Sequence, residues 1–457
     1  MPLITPTAQA VKREINETVM LSLPLIGSWL IYSLSTFIGT AMIGHLSEDA
    51  LAASVLTNTL WLVISVFFFG IFNSISVLVS RQYGARNMTA ISEIMSQAFL
   101  LGALICIPIG LALMSVPMVL TLTSQSPEVL TLAITYAHSL LWSVPGTIAL
   151  IIFEHFFNGI GKTKISLFIS LIEVPIEVFL IYIFVFGKLG LPAYGIAGVG
   201  YGLAVSFTLT TIALVLYSCT AKFLKPYMLF NRIGVFHKQY FAELIQIGLP
   251  VGIMYVIEVG AFCTATIMMA RFSTVVLAAH QIVFQYLGFI LNAAFAIAQA
   301  VSIRIGQNIG KQQYSEVRYS SYAGIGLVFV AMLIMSLLYL FAPQWLLSID
   351  INIHAPENQP LVKEAALLMI VLAFYQIFDG IRIVCAGALR GLKDTRAAMY
   401  NSIISFWLIG ITCAYFFAFV MEWHGVGIWL GMCAGVIAGT IMLGVRLGRK
   451  LNGIDAG

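Results

Sequence analysis

Charge is what this chain most lacks. Asp, Glu, Lys and Arg together supply 9% of its 457 residues, whereas soluble domains carry about a quarter. That scarcity excludes a stack of soluble domains. Cysteine is sparse as well: Cys106, Cys219, Cys263, Cys385, Cys413 and Cys433 lie scattered in or beside apolar runs, with no CxxC and no His at metal-ligand spacing. They read as small core residues, not as a disulfide framework or zinc site. No HExxH, GxSxG or paired acid motif occurs. Gly161-Lys162-Thr163 has the end of a phosphate loop, but Phe156 stands where its leading glycine belongs and no strand precedes it. Nucleotide binding and enzymatic chemistry are therefore not expected, nor is any cofactor. Met1–Asn16 lacks the apolar stretch and cleavage site of a signal peptide.

What is present is apolar. Hydrophobic residues make up 60% of the chain and the mean hydropathy is +0.98. A bilayer-crossing helix takes roughly 20 residues, and the apolar runs predict twelve of them, near 18–43, 51–80, 95–121, 132–157, 165–187, 194–219, 242–270, 276–303, 322–345, 362–387, 397–420 and 424–445. With an even count the loops alternate sides. One set of segments carries 19 of the 23 Lys and Arg residues. Opposite them stand only Lys188, Arg271 and Lys363, with Arg382 inside a helix. This bias places both termini in the cytoplasm. The net charge of +4 thus reflects topology and does not argue for nucleic acid.

The chain also repeats itself. At a fixed shift of 226 residues Pro24 falls on Pro250, Thr40 on Thr266, Met42 on Met268, Leu51-Ala52-Ala53 on Leu277-Ala278-Ala279, Ser76 on Ser302 and Gly84 on Gly310. The expected fold is therefore an all-α integral membrane protein of twelve helices in two six-helix lobes. Both copies insert the same way, so a pseudo-twofold axis along the membrane normal should relate them. The polar stretch near 220–240 is the expected boundary, with an N-terminal lobe over 1–219, a cytoplasmic linker over 220–240 and a C-terminal lobe over 241–457.

An ionisable side chain within hydrocarbon costs a few kcal/mol or more, so each marks a candidate site. Glu258 lies mid-helix with no basic residue within a turn, and a carboxyl stranded there holds a proton or a cation near neutral pH. Asp379 follows Tyr375 by four residues on one helical face, where the hydroxyl can orient the carboxylate or share its cation. Arg382, three residues later, can instead lock Asp379 into an ion pair. Glu173 and Glu177 share a face around Pro175, and two such neighbours oppose joint ionisation. Glu154 and His155 lie close to a helix end, and His280 reads as a helix-packing residue or a modulator of the site.

Leu277-Ala-Ala-His-Gln281, Ser302-Ile-Arg-Ile-Gly306, Ala388-Leu-Arg-Gly-Leu-Lys-Asp394 and Gly187-Lys-Leu-Gly190 resemble the multidrug and toxic compound extrusion (MATE) transporters, NorM-like branch. The resemblance covers nearly the whole chain. It implies a multi-pass protein of the bacterial cytoplasmic membrane, acting as a monomer among lipid. It implies export of cationic amphipathic drugs or dyes against inflow of Na⁺ or H⁺ by alternating access. It maps the cation site, with Na⁺ as one occupant, onto Glu258, Tyr375 and Asp379. Gly39 stands where members of the family commonly carry an Asp, so Glu177, with Glu173 beside it, is the expected substitute as an ion or substrate site. Arg382 is a further departure, and as a modulator it bears on how Asp379 holds a cation. A lipid-linked sugar flippase of similar architecture is the alternative, for which a strongly basic cavity is expected. A channel or receptor would show no counterflow.

Overall fold

The computed structural model describes residues 8–121 and 126–454, and among them there is no strand. The helices are α1 (Ala8–Gly44), α2 (Glu48–Gly84), α3 (Met88–Thr121), α4 (Pro127–Leu141), α5 (Val144–Gly159), α6 (Thr163–Phe186), α7 (Ala197–Thr220), α8 (Lys238–Met269), α9 (Thr274–Gly310), α10 (Tyr314–Phe341), the short α11 (Pro343–Asp350) and α12 (Gln359–Gly391). A span over Thr395–Val420 and a last helix over His424–Ile454 complete the chain. Among the described residues eleven helices are long and apolar enough to cross a membrane, or twelve if a bent pair is one span. That pair, α4 and α5, corrects the single helix expected over 132–157. The two meet at 50°, because Pro145 has no N–H for the carbonyl four residues back and its ring collides with it.

The internal repeat survives into the backbone. Moved by 226 residues, the bounds of α2 become those of α9, and each helix has 37 residues. Ser47 and Ser273 cap them alike, accepting from the N–H three residues on, of Ala50 and of Val276. Both helices leave through a left-handed residue that is not glycine, Arg86 at φ 56° and Gln312 at φ 61°. The pattern that set the repeat in sequence therefore fixes caps and turns as well.

Among the described residues the chain forms two compact units, Gly27–Leu249, and the residues up to Ile26 together with Pro250 onward. The expected division at 220–240 differs from this. That stretch is held within the first unit: Ser92 donates to the Met228 carbonyl at 2.7 Å, Ser96 to that of Arg232 at 2.7 Å and Gln97 to that of Val235 at 2.8 Å. The chain instead passes from one unit to the other inside α1 and inside α8, close to the repeat-related Pro24 and Pro250.

The start of α1 is fixed to the second unit by a buried ion pair. Arg304 Nη2 reaches Glu14 Oε1 at 2.5 Å and Nε reaches Oε2 at 3.2 Å, and Ser320 donates to that same Oε2 at 2.6 Å. Glu14 is fully buried. Within the same unit Gly427, Gly431, Gly435 and Gly439 recur every fourth residue along the last helix. Side chains at the first three would collide with the backbone of the Thr395–Val420 span, and one at Gly439 with Ser405. Such small-residue stripes let membrane helices approach closely. The approached segment is π-helical over Ile403–Ile411 and Phe416–Val420, a wide turn that recurs at functional sites. It sets Ser402 and Phe406 beside α8 and α12.

Candidate functional site

In the second unit three expected residues converge into one buried cluster. Glu258 comes from α8, Asp379 and Arg382 from successive turns of α12. Arg382 Nη1 donates to Glu258 Oε1 at 2.7 Å and Nη2 to Oε2 at 3.2 Å, a two-pronged contact. Its Nε donates to Asp379 Oδ1 at 2.7 Å. Ser402 adds a hydroxyl to Glu258 Oε1 at 2.9 Å, and the guanidinium sits 4.8 Å above the Phe406 ring. Glu258, Asp379 and Arg382 are 7%, 1% and 2% exposed. With all three ionised the cluster carries two negative charges and one positive, leaving a net charge of −1 out of water.

Glu258 is thus not the isolated acid expected from its own helix. Its counterion lies 124 residues away on another helix, which local spacing does not reveal. The pairing of Arg382 with Asp379, one of two open readings, is present in the fold. Tyr375 departs from expectation. Its ring is fully buried, edge-on to Trp429 at 5.6 Å and to Phe262 at 6.4 Å, and its hydroxyl has no hydrogen-bond partner among the described residues. It shares a face with Asp379 without bonding to it, since Asp379 Oδ1 is turned to Arg382. His280 packs between helices: Nε2 lies 2.9 Å from Thr266 Oγ1, and the ring stacks on Phe284 at 5.8 Å.

In the first unit three acids are each held by a hydroxyl. Glu177 accepts from Ser35 at 2.5 Å, Glu173 from Ser206 at 3.2 Å and Glu154 from Tyr32 at 2.7 Å. Glu154 thereby joins α5 to α1. His155 faces Phe69, ring centres 5.3 Å apart. A cavity of about 240 Å³ opens between Tyr32, Ser35, Asn58, Trp61, Tyr136 and Glu177, and no Lys, Arg or His lines it. Gly39 lines it too, and a side chain built there meets nothing within 4 Å. Glu177 and Gly39 thus border the same space.

Two basic residues were missed as buried groups because they were counted only as loop charge. Arg304 is 7% exposed and Arg390 5%; the latter donates to the Tyr255 hydroxyl at 3.0 Å. The one available signal is their place inside Ser302–Gly306 and Ala388–Asp394, two of the runs that carry the family resemblance. Among the described residues no group of three or more His, Cys, Asp or Glu is placed to hold a metal ion.

Eleven or twelve apolar spans, a duplicated half and charged groups buried in each unit define a membrane transporter. Comparison with known proteins gives the family. The MatE family model matches residues 24–183 and again 250–416, starting each time at a repeat-related proline. The chain belongs to this family, the MATE/NorM multidrug efflux transporters. It is 29% identical to the probable multidrug resistance protein NorM of Pseudomonas aeruginosa, covering 94% of this chain and 88% of that one. It is 30% identical to the protein of the same description from Oceanobacillus iheyensis, over 95% and 97% of the two chains. Among solved structures the Vibrio cholerae MATE transporter VcmN in its bent form aligns with a TM-score of 0.88 at 16% identity, over 98% and 99% of the chains. That last likeness shows the shared fold.

Proposed function

We propose that this protein is a cation-coupled multidrug antiporter of the bacterial cytoplasmic membrane that exports cationic amphipathic compounds, with H⁺ as the coupling ion. The observation that carries the reading is the Glu258–Arg382–Asp379 cluster. Arg382 occupies both oxygens of Glu258 and one of Asp379, so Na⁺ has to displace a guanidinium to gain those ligands. A proton needs no coordination shell, and one proton brings the cluster from −1 to neutral. Leaving a charge uncompensated out of water costs several kcal/mol, so proton binding changes the energy of any state in which the cluster is sealed. A ligand shifts an equilibrium between access states by its difference in affinity for them, and this supplies the coupling.

The first unit supplies the substrate side of the reading. Its cavity combines the Glu177 carboxylate with the aromatic faces of Tyr32, Trp61 and Tyr136, a lining suited to a flat organic cation. The names of the relatives support drug export as the activity. The test is efflux of a fluorescent cation from proteoliposomes carrying Glu258→Gln, Asp379→Asn or Glu177→Gln. Loss of ion-driven efflux in the first two supports the coupling cluster, and wild-type transport in both removes it. Wild-type rates in the third make Glu177 structural.

A further inference from the structure

The segment between α7 and α8, residues 221–237, contains no Asp or Glu, yet it carries Lys222, Lys225 and Arg232, and Lys238 follows it at the start of α8. It is packed down along one side. Leu224, Tyr227 and Leu229 are buried. Tyr227 meets Phe156 edge-on with ring centres 5.6 Å apart, and Phe230 stacks on Phe99 at 6.1 Å. With the bonds from Ser92, Ser96 and Gln97 to its carbonyls, these contacts fix which side chains point outward.

The outer side mixes two chemistries. Phe223, Met228, Ile233 and Phe236 are exposed, the last two at 57% and 58%. Lys222, Lys225 and Lys238 are exposed beside them, and none of these lysines meets a carboxylate among the described residues. Arg232 differs, because Glu93 takes it at 3.0 Å. Depth decides what such a surface can meet. α3 has 34 residues and so runs about 51 Å, against a hydrocarbon core of about 30 Å. Centred in the bilayer, it leaves about 10 Å at each end, roughly seven residues, outside the hydrocarbon. Ser92 falls within that stretch, and Ser96 and Gln97 lie just beyond it. The segment they hold therefore sits where headgroups meet acyl chains. There apolar side chains enter the acyl edge while lysines keep their charge among the headgroups. The charge bias assigns this end to the cytoplasm, the leaflet with the negative surface potential.

We propose that residues 222–238 form a binding platform for anionic phospholipid, with Lys222, Lys225 and Lys238 on the headgroup phosphates and Phe223 and Phe236 seated in the acyl edge. Three cations without carboxylate partners favour a headgroup with net negative charge over a zwitterionic one. The exposed rings beside them favour a lipid over a soluble anion. Each lysine at such a surface strengthens binding about fivefold.

The test titrates the full-length protein, in a neutral detergent, with phosphatidylglycerol or phosphatidylcholine and follows bound lipid by native mass spectrometry. Lys222→Gln with Lys225→Gln should weaken phosphatidylglycerol binding roughly 25-fold, and adding Lys238→Gln roughly a hundredfold; phosphatidylcholine binding should not change. Phe223→Ser with Phe236→Ser should weaken phosphatidylglycerol at unaltered charge. Lys162→Gln with Lys164→Gln removes the same charge from exposed positions at the start of α6 and should leave binding near wild type. Thermal unfolding without added lipid should match wild type in every variant, which separates lost binding from lost folding. Equal losses from the two lysine pairs would reduce the platform to diffuse charge and overturn it. Binding that ignores the phenylalanine substitutions, or that soluble glycerol phosphate competes away at the lipid's own concentration, overturns it in favour of a site for a free anion.

Discussion

Removing the Arg382 guanidinium leaves two buried carboxylates, Glu258 and Asp379, without the counterion they share. In Arg382→Gln the bonds to Glu258 at 2.7 and 3.2 Å and to Asp379 at 2.7 Å are lost together. Taking one partner from a buried ion pair destabilises by about 3–5 kcal/mol, because the charge left behind has no compensation. For a unit of this size, each kcal/mol is about 2–4 °C of melting temperature, so a fall on the order of 10 °C is expected. The same reasoning predicts rescue. Arg382→Gln combined with Glu258→Gln and Asp379→Asn replaces the ionised cluster by neutral amides of similar shape, and most of the loss should return. Thermal unfolding of purified protein in one detergent, run as a mutant cycle, isolates the coupling, which for contacting residues reaches about 0.5–3 kcal/mol. A single variant as stable as wild type, or no rescue in the combination, would show that the ion pair does not hold the cluster.

Three further outcomes follow from the same geometry. Tyr375→Phe removes a buried hydroxyl without a partner among the described residues, so stability should hold or rise, because an unsatisfied buried group costs about 1–3 kcal/mol, and the ion dependence of efflux should not move; a raised KM for the ion would make Tyr375 a ligand after all. Glu14→Gln strips the charge from the buried pair with Arg304 and should cost about 3–5 kcal/mol, read as a lowered Tm with cation binding in the first unit unchanged. Gly39→Asp places a second carboxylate in the open space that Glu177 borders. It should fold normally and tighten equilibrium binding of a fluorescent cation, and loss of folding would mean that the space is not open.

The architecture was legible because it is written in long, strong signals. Apolar runs placed the spans near 51–80 and 276–303, and the structure extends the 226-residue register to the helix bounds and the Ser47 and Ser273 caps, which the runs alone did not show. Glu258, Asp379, Glu173 and Glu177 stood out because acids are rare in hydrocarbon. Partners were harder to see. Asp379 and Arg382 are neighbours on one helix, and their pairing was readable as an option. Glu258 meets Arg382 only once α8 packs on α12, and nothing in the local spacing of either helix encodes that. Tyr375 shows the converse: a favourable i,i+4 spacing produced no bond, since the Asp379 oxygen had a charged partner one turn further on. The division inside α1 and α8 was hidden for a similar reason, because the polarity of residues 220–240 suggested a cytoplasmic linker between lobes, whereas α3 side chains bind carbonyls of that stretch.

The central claim is that a buried cluster of net charge −1, already holding a guanidinium, takes a proton as its coupling ion. Efflux of a fluorescent cation from proteoliposomes energised by a pH gradient alone, or by a Na⁺ gradient alone at matched pH, tests it most directly. The pH gradient should drive efflux that Glu258→Gln abolishes, and the Na⁺ gradient should drive none. Efflux sustained by Na⁺ alone would contradict it.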